Sequence, residues 1–306
     1  MRVCGFDYSQ IKAQNISIMT TKNIKQVINP PRPHWVGDGF HVHNFIPSLI
    51  PWTEISPFVM LDYGATKYFE PTKQNLGVGS HPHRGFETVT IAYQGEIEHH
   101  DSRGNRGIIS EGEVQWMTAG SGILHKEYHS KKFAETGGNF QMVQLWVNLP
   151  AKDKMTDPKY QAITKDEIVK VDLEHSTGKI EIISGEYSGR KGPARTFSEV
   201  NLWNLHLNQS KSTTLSIPAD HNCALLIVQG EVVINGQNLI QNQIILMKNG
   251  GQDIVINANE NSIVLVLSGE PINEPIASYG PFLMNTKSEI VQAIDDFNEG
   301  KFGELE

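Results

Sequence analysis

Cysteine is nearly absent from this 306-residue chain, with Cys4 and Cys223 the only two. Two thiols cannot build a disulfide framework, so the chain reads as a protein of a reducing compartment, and a cytoplasmic location is expected. Positive charge is also scarce: 26 Lys and Arg stand against 34 Asp and Glu, a formal charge of −8. That balance speaks against nucleic acid as a direct ligand, and Lys22, Lys25 and the pair Lys131–Lys132 are too scattered to form a phosphate-binding footprint. No run approaches the roughly 18 apolar residues of a membrane span. The residues up to Ile18 lack the basic start and apolar block of a signal peptide. They lack periodicity as well. Residues 1–24 therefore read as an extension outside the fold, disordered or an artefact of the assigned start, with Met19 an alternative initiator. Neither a Gly-x-Ser-x-Gly nucleophile elbow nor a Gly-x-x-x-x-Gly-Lys phosphate loop occurs.

What the chain does have is turn residues and β-branched runs. Its 27 Gly and 15 Pro punctuate stretches such as Glu87-Thr88-Val89-Thr90-Ile91-Ala92-Tyr93 and Ser262-Ile263-Val264-Leu265-Val266-Leu267. Many short strands joined by turns, and so an all-β fold, follow. The length allows two domains with cores of their own. The polar, proline-bearing segment from Leu149 to Pro158 reads as a connection between them, giving domains at 25–150 and 166–306 with a linker at 151–165. Val89 to Glu98 and Ala224 to Gly236 share one pattern, an apolar strand, then Gln-Gly-Glu, then a second alternating strand, which points to an internal duplication. At the C-terminus, Thr286-Lys287-Ser288-Glu289 fits a capping box. Ile290, Ile294 and Phe297 then form one helical stripe, ended by Gly300.

The chemistry concentrates in His81-Pro82-His83-Arg84-Gly85-Phe86-Glu87 and His125-Lys126-Glu127. Ligand-type residues at i and i+2 share one face of a strand, roughly 6–7 Å apart. Two such strands side by side aim three imidazoles and one carboxylate at a common point. Imidazole suits iron, copper, nickel or zinc, and the carboxylate moves the expectation towards an open iron-type site. His81, His83, His125 and Glu127 are the expected ligands. On an uninterrupted strand Glu87 shares their face but lies roughly 13 Å beyond His83, so it is expected to orient a ligand or Arg84 unless Gly85 bulges. Other histidines read as bystanders. His41-Val42-His43 lacks a partner element, His99-His100 reads as solvated, and His129 shares parity with the ligands at the edge of the site. Cys223 reads as a small core residue. Laying Gly95 on Gly230 puts Ser216, Pro218 and Asn222 where the first copy has His81, His83 and Glu87. The second copy is thus expected to lack metal.

These motifs, with Gln115-Trp116-Met117-Thr118-Ala119-Gly120-Ser121-Gly122-Ile123-Leu124-His125-Lys126-Glu127 and the stretch from Glu270 to Thr286, resemble the pirin family of the cupin superfamily. The likeness runs from about Ile24 to Gly303. It implies a bicupin, two β-barrels facing each other with the metal in the N-terminal one, and ligands at His81, His83, His125 and Glu127. Like pirins, the chain has Thr118 where many cupins have proline, and four residues between Gly120 and His125. The resemblance implies one divalent transition metal per chain, usually Fe(II), with Cu, Ni, Mn, Co or Zn as alternatives. It further implies a dioxygenase that opens a flavonol such as quercetin with O2, in which Glu127 or Glu87 takes the substrate proton. The second reading is a redox-responsive iron protein acting through a regulatory protein partner, as animal pirins do. A monomer is expected.

Overall fold

The computed structural model describes residues 20–305, so Met19 and the segment before it lie outside the described residues. Two barrels are present, each made of a seven-stranded and a four-stranded antiparallel sheet. In the N-terminal barrel the smaller sheet runs Gly77–His83, Ile123–His129, Ile97–Asp101 and Arg106–Ile109. The larger sheet holds Phe86–Gln94 between Val114–Thr118 and Gly138–Asn148. Every strand from Phe58–Phe69 to Gly138–Asn148 recurs, in the same order and pairing, from Val200–Leu207 to Ser262–Gly269. The repeated Gln-Gly-Glu falls at the same hairpin in both copies, with Gly95 and Gly230 at φ +86 and +83. The chain is thus a duplicated all-β module with a C-terminal helix.

The two larger sheets face each other. Val89, Ile91, Val114, Trp116, Val143 and Leu145 from one barrel pack with Ala224, Leu226, Val228, Leu265 and Leu267 from the other. This explains the nearly unbroken burial of Phe86–Gln94, which has one face in its own barrel and one against the partner barrel. At about 1.5–3 kcal/mol for each buried aliphatic side chain, such an interface holds the two barrels as one body. The interior of the C-terminal barrel is filled largely by apolar residues such as Ile217, Leu225, Ile234 and Ile254. Cys223 is buried there, and burial pushes its thiol up to about 12.

The chain ends are exchanged between the barrels, so the divisions at 25–150, 151–165 and 166–306 cut across the packing. Ile24–Ile28 pairs with Ile244–Met247 in the C-terminal barrel. Lys159–Ile163, inside the supposed linker, extends the N-terminal sheet beside Val114–Thr118. The hairpin Ala277–Tyr279 and Phe282–Met284 returns to the N-terminal barrel, where Phe282 bridges Arg84. The helix Lys287–Asn298 follows, and Phe282, Met284, Ile290, Ala293 and Phe302 close a small core against Leu124. Thr286 and Glu289 form the capping box expected from the sequence.

Candidate metal centre

The chain leaves the smaller sheet at Arg84–Gly85 and enters the larger one at Phe86. Gly85 has φ +90, and a Cβ there would lie 2.0 Å from the carbonyl oxygen of Leu283. Only glycine makes this turn so close to the returning C-terminal hairpin. Lys154 braces it from inside, donating to the carbonyls of Gly85 (2.8 Å) and Leu283 (2.9 Å) and to Asn148 Oδ1 (2.7 Å). Burial lowers that ammonium to about 8.

Before the turn, Gly77–His83 pairs antiparallel with Ile123–His129, with His81 opposite His125 and His83 opposite Ile123. The strand Ile123–His129 alternates strictly, burying His125, Glu127 and His129 while Leu124, Lys126 and Tyr128 are half-exposed. His81, His83 and His125 come together, each offering a ring nitrogen, and these atoms all lie within 4.8 Å of one another. The ring centroids of His81 and His125 are 4.3 Å apart.

Two of the three imidazoles are tethered through Nδ1. His81 Nδ1 is 2.8 Å from the carbonyl of Gly79, and His83 Nδ1 is 3.4 Å from that of Pro281. His125 Nε2 is buried with no hydrogen-bond partner. An orphaned ring nitrogen inside a histidine cluster is costly unless something else fills its lone pair, and a metal ion fits. Burial, reinforced by the neighbouring imidazoles, holds His83 and His125 well below the ordinary histidine value, in the neutral form that binds metal. The donor set suits a divalent transition metal.

Glu127 joins this cluster through His125. It forms a second, overlapping group with His125 and His99, again with ligand atoms within 4.8 Å of one another. Its carboxylate accepts from Gln144 Nε2 at 2.8 Å and from Gln115 Nε2, with Thr90 Oγ1 at 3.4 Å.

Two readings change. Glu87 does not head the inner face of the site. The turn at Gly85 separates it from the histidine strand, and the alternation of Phe86–Gln94 sends Thr90 to Glu127 and puts Glu87 with Val89 and Ile91 on the face towards the other barrel. There it accepts from Thr118 Oγ1 at 2.8 Å and touches neither Arg84 nor a candidate ligand through a hydrogen bond. His99 is not solvated but fully buried, stacked on Tyr160 with centroids 4.7 Å apart. Its strand is paired on both edges, so the alternation that leaves Glu98 and His100 half-buried turns His99 inward, opposite Glu127. That inward alternation of Ile97, His99 and Asp101 was the available signal. His129 lies off the site, among Phe40, Phe69, Phe133 and Phe140, with Nε2 2.9 Å from the Gly39 carbonyl. Burial lowers it to about 4.

His43 is tied to the Pro31 carbonyl and His41 rests against Trp35. Among the described residues, the groups of three or more ligand-type side chains are the two that share His125. None lies in the C-terminal barrel, where Asn222 donates to the Ser56 carbonyl.

Residues 39–147 match the family model described as Pirin, and residues 202–303 the model described as Pirin C-terminal cupin domain. The chain belongs to the pirin family. A Pseudomonas aeruginosa relative bearing the name "Putative quercetin 2,3-dioxygenase" is 46% identical over 281 residues, 92% of this chain and 98% of that protein. A pirin-like protein of Solanum lycopersicum is 36% identical over 273 residues, 87% of this chain and 88% of that one. A crystal structure of quercetin 2,3-dioxygenase from Acinetobacter baumannii superposes with a TM-score of 0.89 at 49% identity, covering 93% of this chain and 99% of that chain.

The new position of Glu87 in this pirin has a measurable consequence. Burial raises its carboxyl to about 7, against the pull of Thr118 and Trp116. An acid with a raised folded pKa contributes stability that is fully present below its unfolded value, near 4.5, and lost as pH rises through about 7. The loss amounts to about 3 kcal/mol at most. Glu87→Gln is therefore expected to remain flat across this window, overtaking the wild type above about pH 7 while keeping its metal. Melting temperatures of both proteins across the window check this, and parallel curves would contradict it.

Proposed function

We propose that this pirin is a metal-dependent dioxygenase that opens a flavonol such as quercetin with O2, holding one divalent transition metal, Fe(II) foremost, through His81, His83, His125 and Glu127. The observation that carries the reading is the convergence of three imidazoles, one with an unpartnered buried Nε2, beside a carboxylate in a chain closely similar to proteins named quercetin 2,3-dioxygenases. When bound, the metal supplies Lewis acidity towards the substrate hydroxyl and redox chemistry towards O2.

The residues do the rest. His81 is the half-exposed member of the cluster and marks the side from which substrate arrives, whereas His83 and His125 are buried and keep water out. Trp146, stacked on Phe86 at 4.2 Å and packed against His83 at 5.1 Å, gives an aromatic wall to a flat ring system. Glu127 is the carboxylate placed to take the substrate proton. Its amide donors, Gln144 and Gln115, hold it in position without competing for that proton. A cytoplasmic setting belongs to the same reading, in keeping with two cysteines and no disulfide framework.

Aerobic assay of iron-, copper- and nickel-loaded protein with quercetin tests the proposal. Loss of the flavonol absorbance with matching O2 uptake is expected from a protein carrying about one ion per chain, since among the described residues no group of three ligand-type side chains lies in the C-terminal barrel. No flavonol loss with any metal would sink the enzyme reading. A second stoichiometric ion in the C-terminal barrel would sink the single-site reading.

A further inference from the structure

Every imidazole of the cluster needs a partner for the ring nitrogen that does not face the others, because that partner decides which nitrogen is left bare for a metal. His81 uses the Gly79 carbonyl and His83 the Pro281 carbonyl. His125 has no such carbonyl. Its Nδ1 instead lies 3.5 Å from His99 Nδ1, inside the barrel.

Two imidazole nitrogens can meet in this way only if one donates and the other accepts. The direction is set further along. His99 Nε2 is 3.2 Å from Asp101 Oδ2. Asp101 is itself fixed, its Oδ1 accepting from the amides of Arg103 (2.9 Å) and Asn105 (3.0 Å), and both oxygens from Asn105 Nδ2 (3.1 and 2.9 Å). A carboxylate only accepts, so His99 carries a proton on Nε2, and the neutral tautomer that this selects presents a lone pair at Nδ1. His125 must then carry its proton on Nδ1, which leaves Nε2 bare. That nitrogen is the one with no partner in the structure.

We propose that His99, oriented by Asp101 and by its stack on Tyr160, is a positioning residue that fixes the tautomer and ring plane of His125 so that Nε2 is presented to the metal. The proposal rests on the metal-centre reading above. It gives a role to the buried His-x-Asp of the strand Ile97–Asp101, and to Tyr160 on a strand that looked like linker in the sequence. His99 is not itself a ligand in this scheme, although it lies close enough to Glu127 and His125 to be mistaken for one.

Nitrogen-resolved NMR of the histidine rings in metal-free wild-type protein reads the tautomers directly. His125 is expected with its proton on Nδ1 and His99 with its proton on Nε2; the opposite assignment at either ring overturns the proposal, whether or not the protein later takes up metal. Two variants extend the test through nickel(II) affinity measured by chelator competition. His99→Phe keeps a ring against Tyr160 but accepts nothing, so its dissociation constant should rise about 10–100-fold. His99→Gln can still donate to Asp101 and accept from His125, so it should recover most of that loss. Wild-type affinity in His99→Phe, or equal weakening in both variants, would overturn the positioning role. A wild-type protein that binds no nickel would instead count against the metal centre itself.

Discussion

A His125→Ala chain is expected to fold and to lose its metal. His125 belongs to both groups of converging donors, so its removal leaves His81 and His83 on one side and Glu127 on the other with nothing between them. Partners that merely orient a ligand are worth about 10–100-fold in affinity, and the loss of the shared ligand should exceed that, roughly a thousandfold or more. Turnover of a flavonol should vanish with it. The metal-free fold should survive, because the truncation gives up only the long 3.5 Å contact of Nδ1 with His99, while Nε2 makes no hydrogen bond. The measurement is the melting temperature with and without nickel(II). Saturating metal at about 100 times the dissociation constant stabilises the wild type by about 2.7 kcal/mol, and that increment should disappear in the variant. A variant that retains it would show that the ion is held elsewhere.

Asp296→Ala should be the most destabilising single change away from the histidines. Arg84 follows directly on His83, and its guanidinium is almost wholly buried. It donates to Asp296 Oδ2 at 2.8 Å and to the Ser121 carbonyl at 2.7 Å, and it lies over the Phe302 ring at 4.7 Å. Hydrogen bonds from Lys301 and Arg84 hold the Asp296 carboxyl well below the ordinary carboxylate range. Removing the acid strands a buried cation, at a cost of about 3–5 kcal/mol. The effect should reach the histidines, since the Arg84 backbone bonds Pro281 and Leu283 on both sides and Pro281 also holds His83. Calorimetry and nickel titration of the same variant should both fall. Unchanged affinity beside a large loss of stability would uncouple the helix from the site.

Much of this was legible in the chain. The paired His-x-His and His-x-Glu carry their own geometry, since alternation on a strand needs no long-range information. The capping box at Thr286 and the repeated Gln-Gly-Glu are equally local. What failed was extrapolation across Gly85. Parity carried Glu87 along with the histidines, but a glycine at positive φ moved the chain into the other sheet and reset the faces. His99 was missed because His99-His100-Asp101 looks polar, and its burial depends on strands at Arg106–Ile109 and Ile123–His129 that pair on both sides. The strand at Lys159–Ile163 and the return of the C-terminal hairpin rest on contacts across long stretches of chain, and no local pattern announces them.

The exchanged ends impose an order on maturation. During synthesis His81, His83, His125 and Glu127 all emerge long before Pro281 and Asp296. A nascent or truncated chain therefore owns every expected ligand while lacking the carbonyl that tethers His83 and the acid that seats Arg84. If the metal is held as proposed, its tightest binding is expected only once the last segment has folded back on the first barrel. Tight binding would then report that the segment carrying Pro281 and Asp296 has docked.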